Sequence, residues 1–146
     1  MSREYDVLAA LRDYLPDHMD AAPETNLTAN QIVIAYPDSD KMRYPVMLYI
    51  VPEGGAWETL TTSSLLERMT LTVYILLRNS ETHREQADMV EALLEYFAAF
   101  TNALHLDPTL EGVIDDAKIN SYDFYPFSQD LTSVFGLEIN LEATIS

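Results

Sequence analysis

The stretch that decides the fold is SVFGLEINLEATIS, residues 133–146. From Phe135 onward every second residue is apolar, and the residues between them are nearly all polar or small. This period of two predicts a half-buried β-strand, because successive side chains of a strand point to opposite faces of its sheet. We predict a strand from about Leu131 to Ile145, after a turn at residues 126–130.

The predicted length of this last strand is itself informative. Fifteen extended residues would span about 50 Å, whereas a compact domain of this chain length is roughly 38 Å across. Two outcomes are therefore expected. Either a bulge at Gly136 keeps the strand within its domain, or the strand overhangs as an edge that a neighbouring subunit completes, with Glu138 and Glu142 limiting unwanted pairing.

The other elements follow from periodicity and from turn residues. We predict a helix over residues 3–15, capped by Ser2 and ending before Pro16, strands over 31–36, 45–51 and 68–77, a helix over about 81–105, and a strand over 112–124. The strand at 45–51 is apolar on both faces, so both faces should be covered. Residues 52–64 show no sustained period and are predicted to form a long hairpin loop.

This order of elements predicts the fold class. Helix, three strands, helix and two strands indicate an α+β fold, in which two helices pack on one face of a largely antiparallel or mixed sheet. The length of 146 residues fits a single domain, residues 1–146.

Composition and charge exclude several classes of function. The chain has no cysteine, which excludes disulfides and zinc–thiolate sites. Its net charge of −16 should repel nucleic-acid phosphates and anionic membranes. The longest apolar run, Val73–Leu77, is far shorter than a membrane span, and the charged start lacks a secretory core, so a soluble cytoplasmic protein is expected. The charge is uneven: residues 41–84 carry net +1 and residues 85–146 net −11.

Motifs for catalysis or cofactor binding are absent from the sequence. The four glycines, at 54, 55, 112 and 136, cannot form a phosphate-binding or dinucleotide-binding loop. The three histidines, His18, His83 and His105, do not have the spacing of metal ligands. We therefore predict no catalytic residue, no cofactor and no metal.

Two local patterns leave alternatives open. Asp38 and Asp40 resemble the start of a calcium loop, but Arg43 and Tyr49 occupy the positions that need glycine and glutamate, so only a weak surface site for a divalent cation remains. YDFYPF, residues 122–127, is the densest aromatic cluster. Such clusters are enriched at protein interfaces, and core packing explains two or three of these rings equally well.

The element order resembles the tail-terminator family (minor tail or tail-completion proteins) of tailed bacteriophages. The resemblance is carried by LERMTLTVYILLRN (66–79) leading into EQADMVEALLEYFAAF (85–100), followed by GVIDDAKINSYDF (112–124) and LTSVFGLEINLEATIS (131–146). In that family a strand feeds an amphipathic helix, and two closing strands follow a variable link. The strongly acidic last third of this chain departs from that pattern.

The resemblance implies a non-enzymatic structural protein of the virion tail, assembled in the bacterial cytoplasm. It implies a head-to-tail ring, usually of six copies, that caps the tail tube and joins it to head-completion proteins. DNA would pass through without specific binding, and no membrane is involved. The residues that we predict to contact neighbouring subunits are Arg68, Arg78, Arg84, Trp57, Phe135, Leu137, Ile139 and Leu141.

Three other functions stay open at this point. A head-completion or neck protein would share these features. An acidic DNA-mimic protein would use a helix face that carries Asp88, Glu91 and Glu95. A small metal-dependent enzyme would need Asp38, Asp40 or Asp115.

Overall fold

The computed structural model describes residues 2–19, 27–61, 64–78, 86–126 and 134–146. The elements are α1 (Arg3–His18), β1 (Ile32–Ile34), β2 (Val46–Thr61), β3 (Ser64–Arg78), α2 (Gln86–Leu106), β4 (Asp116–Pro126) and β5 (Val134–Ile145), with short 3-10 helices at Ala29–Gln31 and Ser39–Lys41. The predicted α+β class and the order α-β-β-β-α-β-β are confirmed.

One five-stranded sheet organises the chain, in the order β1-β2-β3-β5-β4. β1 runs parallel to β2, and every other neighbouring pair is antiparallel, so the sheet is mixed. β5 comes last in the sequence but lies inside the sheet, between β3 and β4. The edges of the sheet are therefore β1, with the part of β2 that extends beyond β1, and β4.

Both helices cover the same face of the sheet, as predicted. Their apolar residues and one face of the strands form a single core, which includes Val7, Leu11, Leu15, Leu48, Val73, Leu93, Phe100 and Ile139. The opposite face carries a smaller cluster of Met42, Met47, Tyr49, Leu76 and Val134. This second cluster explains why residues 46–51 are apolar on both faces, since all six are buried.

Helix α1 continues beyond the predicted end. Ser2 caps it as predicted, because the Ser2 hydroxyl accepts a hydrogen bond of 3.1 Å from Tyr5 N. Pro16 lies inside the helix, which ends at His18. Proline removes one N–H from the ladder, but other bonds fix the last turn: Met19 N donates to Leu15 O at 2.9 Å, and His18 Nδ1 lies 2.8 Å from the carbonyl oxygen of Tyr14.

The prediction of a long loop at 52–64 was wrong, because β2 continues to Thr61 and pairs with β3. The register shifts between Pro52 and Gly54, where φ of Gly54 is +128°. Residues 53–61 are all exposed. A strand with no buried face has no need of alternating apolar residues, and for that reason periodicity did not reveal it.

The prediction that the last strand overhangs as an edge was also wrong. β5 pairs with β3 from Val134 to Ile145 and with β4 from Phe135 to Thr144. The alternative, a bulge at Gly136, is wrong as well, since the pairing runs through Gly136 without a shift. Because β2 and β3 extend over 16 and 15 residues, the sheet is long enough to hold a straight strand of 12 residues. The predicted first residues of this strand, 131–133, lie outside the described residues.

Helix α2 and strand β4 are close to their predicted positions. Residues 81–85, with the predicted capping pair Thr82 and Glu85, lie outside the described residues. β4 begins at Asp116 rather than at residue 112, because turns occupy 108–113. Its one irregularity lies between Ile119 and Ser121. Among the described residues, no helix has the length and apolar character needed to cross a membrane.

Candidate subunit interface

The most exposed part of the sheet is the far end of the β2–β3 hairpin. We call residues 53–61 of β2 and 64–66 of β3 the hairpin arm. β1 pairs with β2 only at residues 48–50, and β5 reaches no further along β3 than Glu67. The outer edge of β2 beyond residue 50 therefore has no strand neighbour within the described part of the chain, and its backbone N–H and C=O groups are open to another strand.

The hairpin arm carries large apolar side chains in solvent. Trp57 is 57% exposed, Leu60 53% and Leu65 51%. Three such side chains within one two-stranded arm are a concentration of exposed apolar residues, which is typical of protein interaction sites. Sequence reasoning singled out Trp57 but missed the two leucines, because the segment was predicted to be a loop. The two leucines could have been recognised from the sequence, because they lie at equal separations on either side of residues 62 and 63.

Arg68 lies at the base of the hairpin arm, on the sheet face away from the helices. Its Nη2 lies 3.3 Å from Glu58 Oε2, and its Nη1 lies 3.3 Å from Glu142 Oε1. These hydrogen bonds raise the pKa of Arg68, that to Glu58 contributing most. The predicted partner was a neighbouring subunit, whereas the observed partners belong to the same chain. Exposed pairs of this kind are screened by solvent and contribute little to stability, so Arg68 holds the arm weakly.

The other two arginines predicted at the interface differ in their outcome. Arg78 is half-buried and its Nη1 donates a hydrogen bond of 3.1 Å to Met42 O. Its backbone N–H donates to Pro45 O at 2.7 Å. Arg78 thus fastens the segment that covers the helix-free face of the sheet, instead of presenting its charge to a neighbour. Arg84 lies outside the described residues.

The predicted contacts of the last strand need correction. Leu137 and Ile139 are 0% exposed and Leu141 is 2% exposed, all three within the core under the helices. Phe135 is partly buried against the same core. Because β5 is an interior strand, its apolar face packs on α1 and α2, and these side chains are not free to contact another subunit.

A second open surface lies at the opposite edge of the sheet, along β4 and the end of α2. A groove of about 690 Å³ runs there, and its lining includes Phe97, Thr101, Leu104 and Tyr122. The rings of Phe97 and Tyr122 lie 4.5 Å apart between centroids. Tyr122 is 49% exposed and Phe124 40%. Tyr122 and Phe124 are the aromatic residues of the predicted cluster whose side chains the structure describes. Those of Tyr125, Pro126 and Phe127 are not among the described side chains.

Glu67 is a buried carboxyl group that sequence reasoning missed. It is 4% exposed, and its Oε1 has no hydrogen-bond partner among the described residues. Burial raises its pKa, and the charge of nearby Glu4 and a hydrogen bond to it raise the pKa further, while Arg3 lowers it. The signal was present: Glu67 falls on the same strand face as Met69, Leu71 and Val73, where an apolar residue is expected.

The acidic residues considered for metal binding do not converge. The Asp38 side chain accepts a hydrogen bond of 3.1 Å from Asp40 N and caps a short 3-10 helix. Lys41 Nζ lies 3.9 Å from Asp38 Oδ2. Across the five described ranges, no group of three or more His, Asp or Glu residues could hold a metal ion.

Comparison with known proteins adds no relative. No protein-family model matches this chain, and no curated protein matches it. The geometry of the two open edges and the charge of the chain are therefore the features from which a function can be inferred.

Proposed function

We propose that this protein is a non-enzymatic structural protein of a phage tail, a ring-forming tail terminator that caps the tail tube and joins it to the head. The observation that carries this proposal is the hairpin arm, which extends apolar side chains and an unpaired strand edge beyond the rest of the sheet. A monomer gains nothing from exposing Trp57, Leu60 and Leu65 together. A neighbouring copy that covers them gains their burial, about 25 cal/mol per Å².

The location of the two open surfaces supports a head-to-tail assembly. The hairpin arm extends from β2, and the groove lined by Phe97 and Tyr122 lies along β4, at the other edge of the same sheet. An interface between two different surfaces repeats from copy to copy, and it closes into a ring when the rotation between copies permits. A six-membered ring, as the family resemblance implies, is one such closed arrangement.

The charge of the chain supports a channel for DNA. With a net charge of −16, each copy should repel DNA phosphates more strongly than its few cationic side chains attract them. Such a ring would let DNA pass without holding it. The near-neutral residues 41–84 include the hairpin arm, so the part of the chain proposed to meet a neighbour is also the part with the least repulsion.

The surface of α2 argues against a DNA-mimic protein. Asp88 and Glu91 are exposed there, as the mimic hypothesis expects. Val90 and Leu94 are also exposed, 39% and 46%, and at helical spacing they lie beside the row of carboxylates. A surface that imitates phosphates should be continuous in charge, whereas this one mixes acidic and apolar side chains.

The test is assembly of the purified protein with and without the arm's apolar side chains. We expect negative-stain images of the wild type to contain rings, and sedimentation to give a single large species. The triple variant Trp57→Ser, Leu60→Ser and Leu65→Ser should stay monomeric. The matched control, Val90→Ser with Leu94→Ser, removes exposed apolar side chains from α2 and should still form rings.

Two outcomes would contradict the proposal. One is a wild type that stays monomeric at every concentration and salt condition. The other is a triple variant that assembles like the wild type. A ring that binds head-completion proteins but not tail tubes would instead identify a neck protein, which has the same requirement for a closed ring.

A further inference from the structure

A small cavity opens beside the buried carboxyl group of Glu67, where the hairpin arm leaves the sheet. Its volume is about 250 Å³, and it is lined by Glu4, Pro52, Gly54, Gly55, Trp57, Glu67 and Met69. A water molecule takes about 30 Å³ in the liquid, so the space exceeds what one water fills. Two carboxyl groups and one indole ring meet there, and only one of the two carboxyl groups is buried.

One polar atom at this cavity lacks a hydrogen-bond partner among the described residues. This atom is Oε1 of Glu67, which is buried. A buried acceptor of this kind destabilises the fold when it stays unpaired, and more so when it is charged. The cross-strand neighbours of Glu67 are Trp57 on β2 and Ile145 on β5, and neither offers a donor in reach of Oε1. The missing partner is a hydrogen-bond donor, and beside two carboxyl groups a cationic donor is favoured.

We propose that this cavity binds a guanidinium group, and that Arg43 of a second copy of the chain supplies it. A guanidinium presents planar N–H donors that match a carboxylate, and its flat face stacks on an indole ring. Glu67 would accept the hydrogen bonds, Glu4 would add negative charge, and Trp57 would cover the cation. A divalent metal fits less well, because only two carboxyl groups converge and such ions take six or more oxygen ligands.

Arg43 is assigned because it lacks a partner of its own. Among the described residues the other arginines are engaged: Arg3 donates to Ser146 O, Arg12 pairs with Asp13, Arg68 with Glu58 and Glu142, and Arg78 with Met42 O. Arg43 is exposed and has no hydrogen bond or ion pair in the described part of the chain.

Arg43 and Glu67 cannot meet within one molecule. Arg43 precedes Val46, the first residue of β2, whereas Trp57, the partner of Glu67, lies toward the other end of that strand. From Val46 to Trp57 the strand runs for roughly 35 Å, at about 3.3 Å per residue. An arginine at one end and an acidic cavity at the other form a head-to-tail contact between copies.

Entry of the cation requires a local movement and the loss of a proton. Trp57 is more than half exposed and Glu4 partly exposed, so either side chain can turn aside to uncover Oε1. The raised pKa of Glu67 means that a proton competes with the guanidinium. Glu4 strengthens this competition and Arg3 weakens it, and binding should tighten as pH rises through the raised pKa of Glu67.

Trp57 makes the site directly measurable, because it is the one tryptophan of the chain. Agmatine, a small guanidinium compound, is titrated at constant ionic strength while the Trp57 emission is followed. We expect a saturable change in the wild type and at least tenfold weaker binding in Glu67→Gln, which keeps the shape of the side chain. Glu53→Gln, the matched control, removes the same charge from the paired strand β2 outside the cavity and should bind like the wild type.

The titration has two outcomes that would overturn the site. Equal responses in the wild type and in Glu67→Gln would mean that the acidic surface attracts agmatine without a site. A response that appears only in an Arg3→Gln variant would mean that the chain's own Arg3 occupies the cavity. N-carbamoylputrescine keeps the ammonium group of agmatine but has an uncharged urea in place of the guanidinium, and it should give no change in any variant.

The source of the guanidinium is tested separately, by sedimentation of Arg43→Gln. The cavity itself does not depend on the proposed ring, whereas the assignment of Arg43 does. We expect Arg43→Gln to weaken self-association at least fivefold, and to leave agmatine binding unchanged at a protein concentration at which the wild type is monomeric, while Lys41→Gln, a nearby loss of one positive charge, changes neither. Unchanged association of Arg43→Gln would overturn its assignment. A wild type that never associates would overturn both the ring and that assignment, and the agmatine titration would still decide the cavity.

Discussion

The hydroxyl of Tyr14 donates a hydrogen bond of 2.7 Å to the backbone carbonyl of Ala103, and this bond joins α1 to α2. The Tyr14 side chain is almost fully buried, and its ring stacks on His18 with the centroids 3.9 Å apart. Burial raises the pKa of Tyr14, so the hydroxyl keeps its proton at any ordinary pH. The two helices are therefore fixed to each other as well as to the sheet.

Removing this hydroxyl should cost stability. In Tyr14→Phe the carbonyl of Ala103 keeps only a long contact of 3.5 Å from Asp107 N. We expect the free energy of unfolding to fall by about 1 kcal/mol, measured by urea denaturation. Tyr36→Phe, at a side chain that is 76% exposed, should change the value by less than about 0.5 kcal/mol. Equal effects in the two variants would contradict the structural role of the bond.

The buried Glu67 should make stability depend on pH. Its pKa is raised in the folded state, so the folded protein holds a proton that the unfolded chain releases, and stability falls as pH rises above about 4.5. Glu67→Gln removes this loss, and we expect the variant to be more stable than the wild type at pH 7 but similar to it near pH 4. Denaturation across this pH range measures the difference, with Glu53→Gln as the control. A constant difference at all pH values would show that Glu67 does not titrate in this way.

Asp107 should have the opposite pH dependence. Its carboxylate accepts hydrogen bonds from Thr109 Oγ1 at 2.6 Å, Thr109 N at 3.0 Å and Glu111 N at 2.9 Å. These bonds lower the pKa of Asp107, and the bond from the Thr109 hydroxyl contributes most. The stabilisation is present above the ordinary pKa near 3.8 and is lost as pH falls through the lowered value.

An amide cannot accept all three of these bonds on its single oxygen, so we expect Asp107→Asn to be less stable than the wild type at pH 7. The difference in stability between the variant and the wild type should become smaller toward pH 3. Thermal unfolding at several pH values measures it, and Asp123→Asn on β4 is the control. The turn depends on these bonds because Leu110 and Glu111 both have positive φ, 51° and 63°. A gap that stays the same down to pH 2 would contradict the ionic origin of the effect.

Gly55 should tolerate no side chain. A Cβ placed there would lie 2.8 Å from Arg68 O and 3.3 Å from Met69 Cα, both backbone atoms of the paired strand. Because backbone cannot rotate away, we expect Gly55→Ala to separate the strands locally and to lower the unfolding free energy by about 1–3 kcal/mol. Ala56→Gly, the next residue, should cost about 0.5–1 kcal/mol, through chain entropy alone. Trp57 emission should shift in the first variant and not in the second.

Self-association should increase with salt. Copies with a net charge of −16 repel one another in dilute buffer, and the Debye length falls from about 30 Å at 0.01 M to about 10 Å at 0.1 M salt. We expect light scattering to show larger particles as NaCl rises over that range. Magnesium chloride at equal ionic strength is the comparison: a larger effect would indicate bound divalent cations. Particle size that does not respond to either salt would contradict repulsion as the limit on assembly.

The amphipathic elements could be predicted from sequence, because one buried face leaves a period in the residues. Helix α2 and strand β5 are clear cases: Leu93 and Phe100 mark the first, Leu137 and Ile139 the second. The hairpin arm could not be predicted, since neither of its faces is buried. Local periodicity does not show which strands are neighbours in the sheet, and for this reason β5 was expected at an edge.

The candidate interface was predictable only in part. Trp57 was found because large aromatic side chains in a polar segment are conspicuous. Leu137 was misplaced because an apolar face looks the same whether it packs on the chain's own helices or on another subunit. Glu67 was overlooked, although a carboxyl group in a row of apolar residues indicates a buried acid. The cavity beside it could not be predicted, because its lining residues come from distant parts of the sequence.

The interior place of β5 has a consequence for biosynthesis. Until residues 134–145 have left the ribosomal exit tunnel, β3 has one bare edge and β4 lacks the strand with which it pairs. The nascent chain therefore cannot close its sheet until Ile145 has left the exit tunnel, and every earlier moment leaves two edges that can pair with other chains. A chaperone that shields these edges until β5 is in place should therefore raise the yield of folded protein.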